Sequence, residues 1–316
     1  MGPRLLALLL VAVAALVPVA LPWIKTPMIL FLCHGLAVLG VTILIRAGQV
    51  SFGHAMYLCA SGYTVAFLQR AYHLDALVLL LAGTLFSLLL GGLVGAFMVR
   101  YRGIFFGMLN LAFSMVLFAI LGKFGAVTGG TDGLRFNRPT FLGMEMAREN
   151  FEWTLLYVAI ALAVACGLFV HRYLESVPGQ ALRALKTNET RLEYLGFSAK
   201  RVFWYGYVLS AALCGLGGSL FALAQGLITP EAGYWVRSAE IIFIAILGGA
   251  GHVVGAFLGA FVFEFLKLYA AALLTGAWQM TLGFVLIIIV FAAPTGLIGM
   301  VGRKNLRKPD TREVAP

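Results

Sequence analysis

A chain of 316 residues with 61% apolar and only 11% charged side chains carries too little charge to clothe one or two water-soluble domains. Its formal net charge of +10 does not point to nucleic acid, because the basic residues fall between and beyond the apolar runs rather than on one folded face. The sequence is that of a multi-span membrane protein, in which Cys33, Cys59, Cys166 and Cys214, all inside apolar runs without ligand spacing, read as packing residues.

Runs of roughly 20 apolar residues, the length that crosses a ~30 Å hydrocarbon core, lie at 4–24, 27–45, 50–69, 75–99, 103–122, 152–174, 202–224, 233–249, 253–274 and 278–300. They predict an all-α polytopic bundle of about ten spans forming a single domain, 1–316. The first run has only Arg4 ahead of it and is long for a signal peptide, so it reads as an uncleaved span. In the third, Ser51, Ala55, Cys59 and Gly62 recur at helical intervals as a small-residue face for close helix approach. His54 adds a ring with hydrogen-bonding capacity there, either as a packed residue satisfied by a neighbour or, with Ser51, as part of the translocation path or gate.

After the fifth run comes "TGGTDGL", Thr128 to Leu134, whose glycines permit turns that other residues resist. Thr131 and Asp132 in it can bond exposed amides. The segment is either a plain turn or, within the long stretch 123–151, part of an outer mouth or docking surface.

The eighth run is short and meets the ninth at "GGAGH", Gly248 to His252, so a re-entrant or broken helix over 233–274 is an alternative that lowers the count to nine. This glycine cluster lacks the Lys-Ser/Thr of a phosphate loop. Glu264 and Lys267 stand three apart in the ninth run. A charge facing lipid costs about 2.5–3.5 kcal/mol, so they are expected to pair and face protein, as a structural ion pair or as part of a gate.

An inside N-terminus and an even number of spans place Arg4, Arg46, Arg100, Arg102, Arg172, Arg183, Lys186, Arg191, Lys200, Arg201 and the basic tail 301–316 in the cytoplasm. Lys25, Arg70, Lys123, Arg135, Arg138, Arg148 and Arg237 fall outside. This bias toward the inside supports the orientation.

The loop 176–201 is then cytoplasmic. Pro178 and Gly179 open a helix there and Gly196 closes it. On a helical wheel Ala181, Ala184, Leu185, Leu192 and Leu195 share one side, with Leu182 at its margin and Asn188 and Glu189 intruding. Arg183, Lys186, Thr190 and Glu193 lie opposite. A helix of about 16 residues is marginal alone, so its apolar side needs a partner: the chain's own spans, lipid headgroups, or another protein.

This island, "ALRALKTNETRLEYLG", resembles the cytoplasmic coupling loop of ATP-binding-cassette importer permeases, specifically the branched-chain amino-acid type of the LivM group. The resemblance rests on Arg183, Ala184, Glu189, Glu193, Leu195 and Gly196; it departs at Arg191 and Leu192, where the group carries a small Ala-Ala pair. "GQVSFGHAMYLCASGYTVAFL", "TGGTDGL", "ILGGAGHVVGAFLGAFV" and "FAAPTGLIGM" resemble further segments of the family in the same order, from about residue 40 to 300. The resemblance implies a pore-forming subunit without enzyme activity or cofactor. It also implies a second permease, two cytoplasmic ATP-binding subunits, a periplasmic solute-binding protein and an inner-membrane location with both termini cytoplasmic. Branched-chain amino acids are the expected cargo, with urea, short amides or aromatic acids as alternatives within the class.

A different class, an ion-coupled secondary transporter, calls for internal repeats and several intramembrane acids; Glu264 alone lies well inside a span. A channel calls for a ring of like residues, and no motif here marks one.

Overall fold

The computed structural model describes residues 3–249 and 251–273, then Met280, Gly283, Phe284, Ile287, Ile288, Phe291 and Gly296–Gly302. Its helices in chain order are α1 Pro3–Ala20, α2 Lys25–Arg46, α3 Ala55–Tyr72, α4 Ala76–Met98, α5 Gly103–Lys123, α6 Gly125–Thr128, α7 Arg148–Glu175, α8 Val177–Thr187, α9 Glu189–Tyr194, α10 Ala199–Gln225, α11 Trp235–Gly248 and α12 Val253–Leu273. The span expected at 278–300 lies largely outside the described residues, and the tail beyond Gly302 lies wholly outside them.

Among the described residues, six helices are long and apolar enough to cross a membrane: Pro22–Arg46, Ala76–Met98, Gly103–Lys123, Arg148–Glu175, Ala199–Gln225 and Val253–Ala270. α3 is as central as any of them but less apolar, since it carries Ser61, Tyr63, Thr64, Gln69 and Arg70. Ser61 and Thr64 are tolerated because each donates to a carbonyl of the preceding turn, while Arg70 is exposed near the end of the helix.

Depth in the bundle separates two kinds of helix. The most apolar stretch of α2 is 89% buried and that of α10 72%, whereas that of α5 is 28% buried. α2, α3 and α10 therefore form the packed centre, and α4, α5 and α7 turn apolar surface outward. Small residues on α10 make the close centre fit. A Cβ on Gly217 would lie 2.5 Å from the Cys33 carbonyl of α2, and one on Gly218 2.2 Å from the Leu58 carbonyl of α3.

α3 begins at Ala55, five residues after the run that predicts it, because Gly48–His54 forms a chain of turns instead of helix. α11 has only 14 residues, a rise of about 21 Å, short of the ~30 Å core. It stops at Gly249 (φ 108°), and α12 packs back so closely that a Cβ on Gly248 would lie 1.8 Å from the Gly255 carbonyl. The turns 47–54 and 99–102 and the segment 176–198 meet at one end of the bundle, where Gly103 bonds Gln49 and Arg102 pairs with Glu189. A short antiparallel pair, Leu134–Arg135 with Leu227–Ile228, ties loops together at the other. The architecture is an all-α, multi-pass membrane bundle.

Candidate functional site

Three groups of the sequence-derived residues occupy separate places. The first is the helix pair after α7. Here the expected single helix over 181–195 is broken: Asn188 adopts extended backbone (φ −160°, ψ 105°) and its Oδ1 accepts from the Arg191 amide at 2.9 Å, so it caps a new helix, α9.

The apolar side of α8 rests on the chain's own spans. Ala181, Leu182 and Leu185 are buried, and Leu182 lies against Gly206 of α10, 3.1 Å from where a Cβ would stand. Burying one Leu contributes about 1.5–3 kcal/mol, which offsets the marginal stability of an 11-residue helix. Arg183, Lys186 and Glu193 are exposed. Gly196 takes the left-handed backbone (φ +86°) and turns the chain toward α10. Just before it, Tyr194 (87% exposed) and Leu195 (69%) form an apolar tip pointing away from the bundle.

Glu189 meets a donor within the chain. Arg102 offers Nε to Oε2 at 3.2 Å and Nη2 to Oε1 at 3.0 Å, a two-pronged contact. The sequence counted Arg102 only as a loop charge.

The second group surrounds His54, which is fully buried. Its Nδ1 lies 2.6 Å from Ser51 Oγ, and its ring packs edge-on against Tyr57 and Tyr207, both at 5.3 Å between centroids. Tyr57 donates to the Tyr207 hydroxyl at 2.9 Å, which donates to Asn110 Oδ1 at 2.5 Å; Asn110 Nδ2 donates to the Phe106 carbonyl at 2.8 Å. The Ala55 amide at the head of α3 donates to Ser238 Oγ of α11 at 2.9 Å. One polar chain thus joins α3, α5 and α10. Asn110 and the two tyrosines escaped the sequence reading, although a lone Asn inside the fifth apolar run was a signal.

The third group lies at the far end and in the bundle. Thr131 and Asp132 are exposed in a tight turn flanked by Gly129 (φ 76°) and Gly133 (φ 75°). Asp132, Gly133, Arg70 and Arg135 line an open polar hollow there. Glu264 is buried, and its Oε1 lies 2.5 Å from His34 Nδ1 of α2. Lys267 stands three residues on along α12, and Arg237 of α11 pairs with Glu240 at 2.8 Å. His34, Arg237 and Glu240 line a small cavity with Leu58, Phe221, Ala232 and Ile241. Among the described residues, no three His, Cys, Asp or Glu converge as metal ligands.

The family profile described as "Branched-chain amino acid transport system / permease component" matches residues 24–291. The chain is 28% identical to the high-affinity branched-chain amino acid transport system permease protein LivM of Salmonella typhimurium, over 94% of this chain and 74% of that protein. It is 29% identical to LivM of Escherichia coli over 70% of this chain and 57% of that one, and 28% identical to the permease protein LivH of Escherichia coli over 46% of each. No solved structure matches the chain. A match across most of the length, on an all-α bundle whose glycines set the closest helix contacts, leads to one conclusion: the chain belongs to the family of branched-chain amino acid transport system permease components.

Proposed function

We propose that the chain is the pore-forming permease subunit of an ATP-binding-cassette importer that moves branched-chain amino acids across the inner membrane. In this reading it pairs with a second, similar permease, receives solute from a periplasmic binding protein, and is driven by two cytoplasmic ATP-binding subunits that carry out the hydrolysis. The names of the LivM and LivH relatives support the cargo and the two-permease arrangement.

In this reading the chain makes about ten crossings, with both termini and the 176–201 loop in the cytoplasm.

The observation that carries the reading is the α8–α9 pair, anchored by Leu182 on the bundle yet presenting Tyr194 and Leu195 outward. An apolar tip on an otherwise polar surface fits a protein groove better than a lipid surface, which Glu193 beside it disfavours. ATP-driven closure of the ATPases pulls on this tip and alternates the access of the bundle. Arg183 and Glu193 contact the ATPase, Gly196 sets the angle of the tip, and Glu189 keeps α9 on its base. Thr131 and Asp132 belong to the outer mouth. Ser51 and His54 hold the packed centre, and Glu264 and Lys267 hold α12 to α2 and α11. Lipid surrounds the exposed faces of α4 and α7.

Co-purification tests this. Tyr194→Ala with Leu195→Ser is expected to insert and keep the companion permease but lose the two ATPases. Retained ATPases with undiminished uptake would overturn the assignment of the loop.

A further inference from the structure

Arg102 occupies extended backbone immediately before α5 (φ −136°, ψ 159°), and its guanidinium is engaged on every side. Besides the forked contact to Glu189, Nη1 donates to the Val99 carbonyl at 2.6 Å and to the Tyr101 carbonyl at 2.9 Å. The group also lies 4.7 Å from the ring centre of Phe203 in α10. One side chain therefore ties together the α4–α5 connection, the first residue of α9 and the start of α10. The next residue extends the link, since the Gly103 amide donates to Gln49 Oε1 at 2.7 Å in the turns that precede α3.

The break at Asn188 is what makes the contact available, because it starts α9 at Glu189 beside Arg102. A half-exposed ion pair contributes little to stability on its own, about 0–1 kcal/mol. A planar fork held at both ends and stacked on an aromatic ring instead fixes direction, which a lysine cannot do.

We propose that Arg102 is a positioning residue that sets the angle of α9 against the head of α5, so that displacement of the helix pair reaches α5 rather than being lost in a flexible loop. α5 suits this role because little of its apolar surface is held by the rest of the chain and its attachments are discrete. Its polar attachments are Arg102 and Gly103 at its head, Asn110 in its body, and Ser114, which donates to the Gly233 carbonyl at 2.6 Å, beside the packing of buried Phe106 on Phe203 and Tyr207. The proposal rests on the reading that the α8–α9 pair takes up force from the ATPases.

The test uses the full transporter, with companion permease, ATPases and binding protein, in lipid vesicles, and reads solute imported per ATP hydrolysed. Arg102→Ala, Arg102→Lys and Glu189→Ala are each expected to keep the ATPases bound and hydrolysing while import per ATP falls by about fivefold or more. The double variant Arg102→Ala with Glu189→Ala is expected to be no worse than the poorer single, since both remove one contact. An unchanged ratio in the three singles would overturn the proposal, as would hydrolysis and import falling together at constant ratio, or losses that multiply in the double variant. ATPases that fail to touch a cross-linker at Tyr194 in the unmodified loop would instead overturn the reading beneath it.

Discussion

His54 Nδ1 and Ser51 Oγ lie 2.6 Å apart, both residues fully buried, at the point where the chain leaves its turns and enters α3. The contact is local in sequence, but the ring it orients is clasped by Tyr57 and by Tyr207 from α10, so it fixes how two central helices meet. His54→Asn is expected to lower the melting temperature of the detergent-solubilised protein, by the equivalent of about 1–3 kcal/mol, because it empties ring volume and strands the Ser51 hydroxyl. Uptake per folded complex should stay within about twofold, since a fully buried ring makes its contacts to protein. A stable His54→Asn variant with abolished uptake would move His54 into the translocation path.

The Tyr57–Tyr207–Asn110 chain predicts an order of effects. Tyr207→Phe removes the central hydroxyl and strands both the Tyr57 donor and the Asn110 acceptor, whereas Tyr57→Phe removes only a terminal donor. Each stranded buried group costs about 1–3 kcal/mol, so Tyr207→Phe should be the less stable variant in a thermal unfolding series. Adding Tyr57→Phe to it should recover part of the loss, because one stranded group disappears. Equal and additive effects would mean the three groups do not act as a chain.

Much of this was legible in the sequence, and the reason is physical. Helix ends in a bilayer are set by where apolar residues stop, and the runs 75–99, 103–122 and 253–274 become Ala76–Met98, Gly103–Lys123 and Val253–Leu273. The helix break at Asn188 was hidden by good helix formers on both sides; its signal was the capping amide acceptor in "TNETR". Arg102 and His34 could not be found by periodicity at all. Their partners, Glu189 and Glu264, lie far away in sequence, and only the placing of the α4–α5 connection beside α9, and the packing of α2 beside α12, bring them together.

The glycines of α10 and α5 give a paired prediction. Gly218→Ala places a methyl 2.2 Å from a backbone carbonyl that cannot step aside, so it should reduce expression and lower the melting temperature, with a cost of about 1–3 kcal/mol. Gly122→Ala meets nothing within 4 Å and should be neutral or stabilising by about 0.5–1 kcal/mol. Similar behaviour of the two in a fluorescence-detected size-exclusion and melting assay would contradict the close packing of α3 on α10.

The most direct measurement of the central claim is uptake of radiolabelled leucine into vesicles that contain this chain assembled with a companion permease and two ATPases, with the binding protein outside and ATP trapped inside. The account predicts accumulation that requires enclosed ATP and the binding protein and stops when the Tyr194–Leu195 tip is replaced. Accumulation by this chain alone, driven by a proton or sodium gradient without ATP or the ATPases, would contradict it.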